Sequence, residues 1–356
     1  MFLYERFQTI PQVIKNGEDI IQKLKNQIIF PYQFYGTQLS ASDNNWIRVK
    51  EDFNFSRAQS KKLNKTYYDI ETYVKPDQTL TPFTAQYAYY PVNACAFYNN
   101  IKNISKIPFL RHPNHSKYTD QELTELVNNG YKELCKTNST YTIDNMDIEV
   151  IGFNTELELL TWVFETYKNL NHHILMGFNS ANFDDPYIIK RLKKLNEGNW
   201  ENIISEFNQV KSFGETSFEF PDYNLVDLLQ MYKPVDSGGD GFGKSLPDYT
   251  LNTIAKTTLK IKKLDLDEDF VHSYENNIIN YLLYNLLDVI ITVKLDEKLR
   301  FLEQVFALAE INNAALGSTI RGRSLMFSAR NNTHFTKEGK ILRDGKFSSE
   351  VVFKTD

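Results

Sequence analysis

The chain has 356 residues, and 40 basic against 45 acidic side chains leave a formal charge of −5. That balance excludes a bulk-basic nucleic-acid binder and leaves a local basic groove open. Apolar residues make up 42%, enough for a sizeable core, and the length suits two domains or three small ones. The 25 Phe and 21 Tyr fit compositional drift in an AT-rich genome, with base-stacking surface as the functional alternative. Cys95 and Cys135 form neither a CxxC pair nor a disulfide framework, which fits a reducing compartment. The first residues lack the basic flank and apolar core of a signal peptide. The apolar run at 278–293, broken by Asn280, Asn285 and Asp288, reads as too short and too polar to span a bilayer. A soluble, cytoplasmic protein is expected.

Residues 1–65 read as a small mixed module with Ile20, Ile21, Leu24 and Ile28 at helical spacing. A strand over 66–74 then carries Tyr67-Tyr68-Asp69-Ile70-Glu71-Thr72. Residues i and i+2 of a strand share a face, so Asp69 and Glu71 project together while Ile70 turns to the core. Like charges side by side destabilise a sheet unless a positive charge lies between them. An oxygen-preferring divalent cation meets that need; two surface acids on a solvent-facing strand are the plainer alternative.

A partner strand is expected at 86–98, after a turn at Pro82. Residues 100–146 read as an insertion, a loop and then a helix around 121–135. A strand at 147–153 precedes a helix capped by Asn154 or Thr155, with Leu159, Leu160, Val163, Phe164 and Tyr167 on its apolar side. The alternation indicates a layered α/β core. The strand at 173–178 ends in Asn179-Ser180-Ala181-Asn182-Phe183-Asp184-Asp185-Pro186. Asn179 and Asp184 flank the carboxyl end of that strand, where open α/β sheets place ligands. Capping of the following helix by Asp184 or Asp185 is the other role these residue types have there.

Residues 210–220 read as a hairpin around Gly214, and 224–229 as a strand end. The glycine-rich loop at 237–245 formally matches a phosphate-loop pattern. Pro234 before it and Pro247 after it deny it the strand–helix frame that pattern needs, so it reads as a flexible insertion. A short helix follows with Leu251, Ile254 and Ala255 inward. Lys260, Lys262 and Lys263 form a basic cluster, either a solvated loop end or a phosphate contact. A long helix is expected from Tyr274 past Asn312. In it Tyr284 and Asp288, at i and i+4, share a face flanked by Leu283, Leu287 and Ile291. A carboxylate entering the interior needs a partner, which an unseen Lys or Arg would also supply. The tail from Ala314 carries Arg321, Arg323 and Arg330 and a β-like segment at 347–354.

Taken together, Asp-x-Glu on a strand, Asn-x-x-x-Phe-Asp at a strand–helix turn and Tyr-x-x-x-Asp on a helix resemble the motifs of the DEDD superfamily of 3′–5′ exonucleases, in its tyrosine subgroup. The spacing looks like the proofreading domain of family B DNA polymerases. Asn154-Thr155-Glu156-Leu157-Glu158, Met176-Gly177-Phe178-Asn179, Asp248-Tyr249-Thr250-Leu251 and Lys263-Leu264-Asp265 support it. The likeness covers about 66–300 well and the flanks weakly. It implies a ribonuclease H-like α/β exonuclease domain at 66–300, an α+β module at 1–65, and a segment at 301–356 leading toward a palm domain.

The resemblance further implies two Mg2+ or Mn2+ ions roughly 3.5–4 Å apart. Asp69 would bridge them, Glu71 and Asp288 would complete the ion holding the nucleophilic water, and Asp184 would hold the second through water. Tyr284 would orient the water, Asn179 and Phe183 would position the terminal nucleotide, and Lys263 would contact substrate. The implied partner is DNA, as a single-stranded 3′ end or a primer-template. The palm signatures Asp-x-x-Ser-Leu-Tyr-Pro and Asp-Thr-Asp do not occur. The chain is therefore expected to be the amino-terminal and exonuclease portion only, either a truncated piece or one subunit of a split phage polymerase whose polymerising subunit is separate. A free-standing exonuclease of repair or RNA turnover and a non-catalytic clamp are the alternatives.

Overall fold

A computed structural model describes residues 63–73, 87–205, 210–213, 217–219, 223–233, 245–261, 263–264, 266 and 270–305. They belong almost wholly to one compact unit, Ile21–Gln27 with Lys61–Leu302; the other unit holds only 303–305 of them. The expected N-terminal module, the turn at Gly214, the glycine-rich loop at 237–244, Lys262 and the arginine-bearing tail lie outside the described residues.

The strands are β1 (Lys65–Thr72), β2 (Val92–Asn99), β3 (Ile104–Leu110), β4 (Asp147–Phe153), β5 (Ile174–Gly177), β6 (Lys211–Phe213), β7 (Ser217–Glu219) and β8 (Asn224–Asp227). Six of them form one sheet in the order β4-β3-β2-β1-β5-β8, and β6 and β7 pair as the expected hairpin. β2 is antiparallel to both of its neighbours, β1 and β3; β4 is parallel to β3, and β5 and β8 are parallel to β1. This mixed sheet with helices on both faces is the ribonuclease H-like α/β arrangement. β2 is buried at every position, because both of its faces are covered.

The helices are α1 (Asp120–Thr137), α2 (Glu156–Leu170), α3 (Asp184–Leu195), α4 (Trp200–Ile204), α5 (Leu228–Tyr232), α6 (Leu251–Thr258), α7 (Phe270–Asn276) and α8 (Ile278–Leu299). Thr155 caps α2 and forms a reciprocal capping box with Glu158; Thr119 and Glu122 do the same for α1. Tyr68 and Ile70 enter the core with Leu159, Leu160, Val163 and Tyr187, the layer of α2 and α3. The odd-numbered residues of β1 face α8 instead. Lys65 Nζ lies 2.5 Å from Asp296 Oδ2, and the Tyr67 hydroxyl donates to the same oxygen at 2.7 Å. These bonds fix α8 along the strand that bears Asp69 and Glu71.

Three expectations are corrected here. Residues 100–146 are no insertion, because β3 within them is an integral strand with Ile107 and Phe109 fully buried. Its signal was masked by Pro108, which falls where the β2 pairing is interrupted between Phe97↔Lys106 and Ala94↔Phe109. The long helix from Tyr274 is broken at Asn277 (φ −131°, ψ 55°) and ends at Arg300 in the left-handed region. α8 also runs beyond the apolar stretch at 278–293, and at 22 residues it is long and apolar enough to cross a membrane. Its most apolar window is 83% buried inside the protein, as befits a core helix.

Candidate active site

Asp69 and Glu71 share the α8-facing side of β1, both half-buried. Opposite them on β2 stand Ala96 and Ala94, fully buried and with nothing beyond Cβ. Directly paired residues share a face, so these small side chains leave the space between strand and helix to the carboxylates. Asn285 of α8 enters that space. Its Oδ1 accepts from the Ala96 N–H at 2.7 Å, and its Nδ2 donates to Asp69 Oδ2 at 2.7 Å.

Asp288 comes from the next turn of α8. One carboxylate oxygen each of Asp69, Glu71 and Asp288 lie within 4.8 Å of one another. Lys263 Nζ lies 2.5 Å from Asp288 Oδ2, while Asp288 Oδ1 is buried with no hydrogen-bond partner. An orphaned carboxylate oxygen on an acid that stands close to two others fits a divalent cation with oxygen preference. Lys263 meets the other reading as well, since it is the cation that pairs Asp288.

The electrostatics reflect crowding of like charge. Burial, and after it the Asp288 charge, pushes Asp69 up to about 8 against the pull of Lys263 and Asn285. Burial, then Asp69 and Asp288, carries Glu71 well above the carboxylate range. Burial raises Asp288 to about 6 even though Lys263 holds it down. Burial pulls the Lys263 ammonium down, but Asp288 and Tyr284 carry it above its ordinary value.

Asp184 is the first residue of α3, and its Oδ1 accepts from the Ile70 N–H at 3.1 Å, between Asp69 and Glu71 in sequence. It stands beside the close trio without belonging to it. Neither Asp184 nor Asp185 caps α3, contrary to the capping alternative. The N-cap is Phe183, which makes no side-chain cap bond. Both acids reach across to β1, Asp185 accepting from the Tyr68 hydroxyl.

The turn before α3 is built tightly. A Cβ on Gly177 would lie 2.5 Å from the Ser180 Cβ, and Asn179 takes φ 60°. Asp227, at the end of β8, accepts from the N–H groups of Asn179 at 2.8 Å and Ala181 at 3.3 Å, and from Leu229 at 2.9 Å. The Asn179 Oδ1 accepts from Asn182 Nδ2 at 3.0 Å. The Phe183 ring lies 5.3 Å from that of Tyr187. On α8, the half-buried Tyr284 has Lys263 Nζ 4.2 Å over its ring and Phe270 edge-on at 5.3 Å.

The fold thus gathers Asp69, Glu71 and Asp288, with Asp184 reaching the same strand. Tyr284 and Lys263 flank Asp288, and Asn179 and Phe183 lie in the turn leading to Asp184. Sequence reasoning gave Asn285, Asp185 and Asp227 no part in the site. An asparagine between Leu282-Leu283 and Leu286-Leu287, one turn from Asp288, was the available signal for the first.

The sequence model described as "DNA polymerase family B, exonuclease domain" matches residues 42–254. The chain is 25% identical over 255 residues to a DNA polymerase of Choristoneura fumiferana nuclear polyhedrosis virus, covering 65% of this chain and 24% of that protein. It is 22% identical over 275 residues to a DNA-directed DNA polymerase of Escherichia phage RB69, covering 74% and 29%. With the DNA polymerase catalytic subunit of Epstein-Barr virus (strain B95-8) it shares 30% over 124 residues, covering 33% and 12%. The chain spans less than a third of the length of these relatives.

Proposed function

The chain belongs to the family B DNA polymerases through their exonuclease domain, and on that premise we propose that it is a 3′–5′ proofreading exonuclease. It removes the terminal nucleotide from a single-stranded or mismatched DNA end. The observation that carries this reading is the trio of Asp69, Glu71 and Asp288, with oxygens within 4.8 Å and Asp288 Oδ1 left without a partner.

Asp69, Glu71 and Asp288 would hold one divalent cation, Mg2+ or Mn2+, and Asp69 with Asp184, the latter through water, would hold a second. Bound cations of this kind lower the pKa of water and neutralise charge developing on a phosphoryl group. The chain's own groups do the rest. Tyr284 orients the attacking water through its hydroxyl; its raised pKa keeps it protonated, so it serves as donor and not as base. Asn179 and Phe183 position the terminal nucleotide, the first by hydrogen bonding and the second by packing. Lys263 faces the scissile phosphate once the acids no longer need its charge. Water gives up a proton to solvent as its oxygen bonds to phosphorus, the bond to the 3′ oxygen breaks, and that oxygen takes up a proton from solvent. A mismatched terminus is the cheapest to unstack into such a site.

These 356 residues lack the palm signatures, so no polymerisation is assigned to them; a palm in the same longer chain or in a separate subunit would divide the labour with them. The test is a 5′-labelled single strand with magnesium or manganese. It should shorten from its 3′ end, and Asp69→Ala/Glu71→Ala should abolish the shortening. A double variant that degrades the strand normally would remove the assignment, and primer extension by the chain alone would remove the division of labour.

A further inference from the structure

Just before β2, Tyr87 and Tyr89 are 47% and 65% exposed, and their rings stack at 5.3 Å with an interplanar angle of 17°. Of the exposed large apolar side chains among the described residues, these are the ones that stack on each other. The backbone between them is held in an unfavourable shape. Ala88 is fully buried at φ 42°, a conformation that non-glycine residues adopt only when their surroundings impose it.

Those surroundings come from α3. Lys194 Nζ donates to the carbonyls of Tyr87 and of Ala88, the latter at 3.1 Å. Arg191 Nη1 donates to the carbonyls of Ala88 at 3.1 Å and Tyr89 at 3.2 Å, and Arg191 is itself fixed by Glu156. The Tyr187 hydroxyl bonds both the N–H and the carbonyl of Tyr90. Two cations and a tyrosine of one helix thus maintain a strained segment whose outcome is a pair of aromatic faces turned to solvent.

We propose that the Tyr87–Tyr89 stack is a platform on which bases of a single DNA strand stack upstream of the 3′ end held at the acidic site. This rests on the nuclease reading and extends it to residues that no motif of the chain includes. The occupant follows from charge and position. Lys194 Nζ lies 5.0 Å over the Tyr89 ring, so the stack is bordered by a cation suited to phosphates. Thr72 of β1 pairs with Val92, so the segment adjoins the strand end that bears Glu71. α3 begins at Asp184 and rises about 15 Å by Lys194. Stacked nucleotides advance about 3.4 Å each, which puts the platform about four nucleotides from the terminus.

The test is fluorescence anisotropy of the full chain with a labelled thymidylate octamer whose 3′-terminal linkage is a nuclease-resistant phosphorothioate. A dinucleotide of the same chemistry, too short to reach the platform, serves as comparison. Tyr87→Ala/Tyr89→Ala should weaken octamer binding roughly tenfold or more and dinucleotide binding far less, while Tyr87→Phe/Tyr89→Phe should restore octamer binding. If the double alanine variant has no thermal transition, Tyr89→Ala carries the same comparison at the more exposed ring. Unchanged octamer affinity in the alanine variant overturns the platform alone when the wild type still binds the octamer. A wild type that neither binds the octamer nor shortens a labelled strand overturns the nuclease reading with it.

Discussion

Asn285 joins two strands' worth of chemistry through one amide: its oxygen takes the Ala96 N–H at 2.7 Å, and its nitrogen gives a 2.7 Å bond to Asp69 Oδ2. The side chain is fully buried, so neither bond has water as a substitute. Asn285→Ala leaves the buried Ala96 N–H and the half-buried Asp69 carboxylate short of a partner and should cost about 1–3 kcal/mol. Asn285→Asp keeps an acceptor for Ala96 but places a second charge against Asp69. It should move the pH profile of strand cleavage to higher pH, whereas a purely structural role would lower the rate without moving the profile. Denaturant melts and a rate–pH series on both variants decide between these.

Lys263 stands 2.5 Å from Asp288 Oδ2 and so supplies the positive charge that a bound cation would otherwise bring. In metal-free protein, Lys263→Met should therefore destabilise by about 1–3 kcal/mol at pH 8, since a buried acid left unpaired is costly. The cost should shrink at pH 5, where Asp288, already raised to about 6, is protonated and needs no counter-charge. Manganese should recover part of the loss at pH 8. An equal loss at both pH values would leave the lysine only a packing role.

The acids also give the protein a direction of pH response. Asp69 is raised to about 8, Asp288 to about 6 and Asp185 to about 7, chiefly by burial in each case. In the unfolded chain such groups titrate near 3.9, so folding takes up protons and their favourable contribution is fully present only at low pH. Metal-free stability should fall as pH rises from about 4 through about 8. Divalent cations bind the deprotonated acids and should raise the melting temperature more at pH 8.5 than at pH 5.5. A melting temperature in chelator that is flat over this range would contradict the environment described for these carboxylates.

Much of this was legible because it is local. Asp69 and Glu71 are tied by strand period, and Tyr284 and Asp288 by helical period. The start of α2 is announced by Thr155 and Glu158, and β4 by its alternation. What failed to read depends on distant partners. β3 carries a proline that only its interrupted pairing with β2 makes harmless. Asp184 and Asp185 have the composition of caps, yet their acceptors are used by the backbone and a tyrosine of β1, more than 110 positions away. Nothing within α8 reveals that Asn285 meets β2.

Ala96 offers a test of the space itself. It faces Asp69 across the β1–β2 pairing and has no exposed surface, and its own N–H is held by Asn285. Ala96→Val would put two methyl groups where the Asn285 amide and the Asp69 carboxylate meet. Overpacking of this kind costs about 1–3 kcal/mol, but its larger effect should be on cleavage, because misplacing one carboxylate would break up the cluster of three acids on which the proposed cation binding rests. The neighbour Cys95 supplies the control. It is equally buried but turned to the other layer, where it packs with Tyr167. Cys95→Leu should destabilise comparably while leaving manganese-dependent cleavage far less affected. If both variants lose activity in proportion to stability, the small residues opposite Asp69 and Glu71 serve packing and have no special bearing on the acidic site.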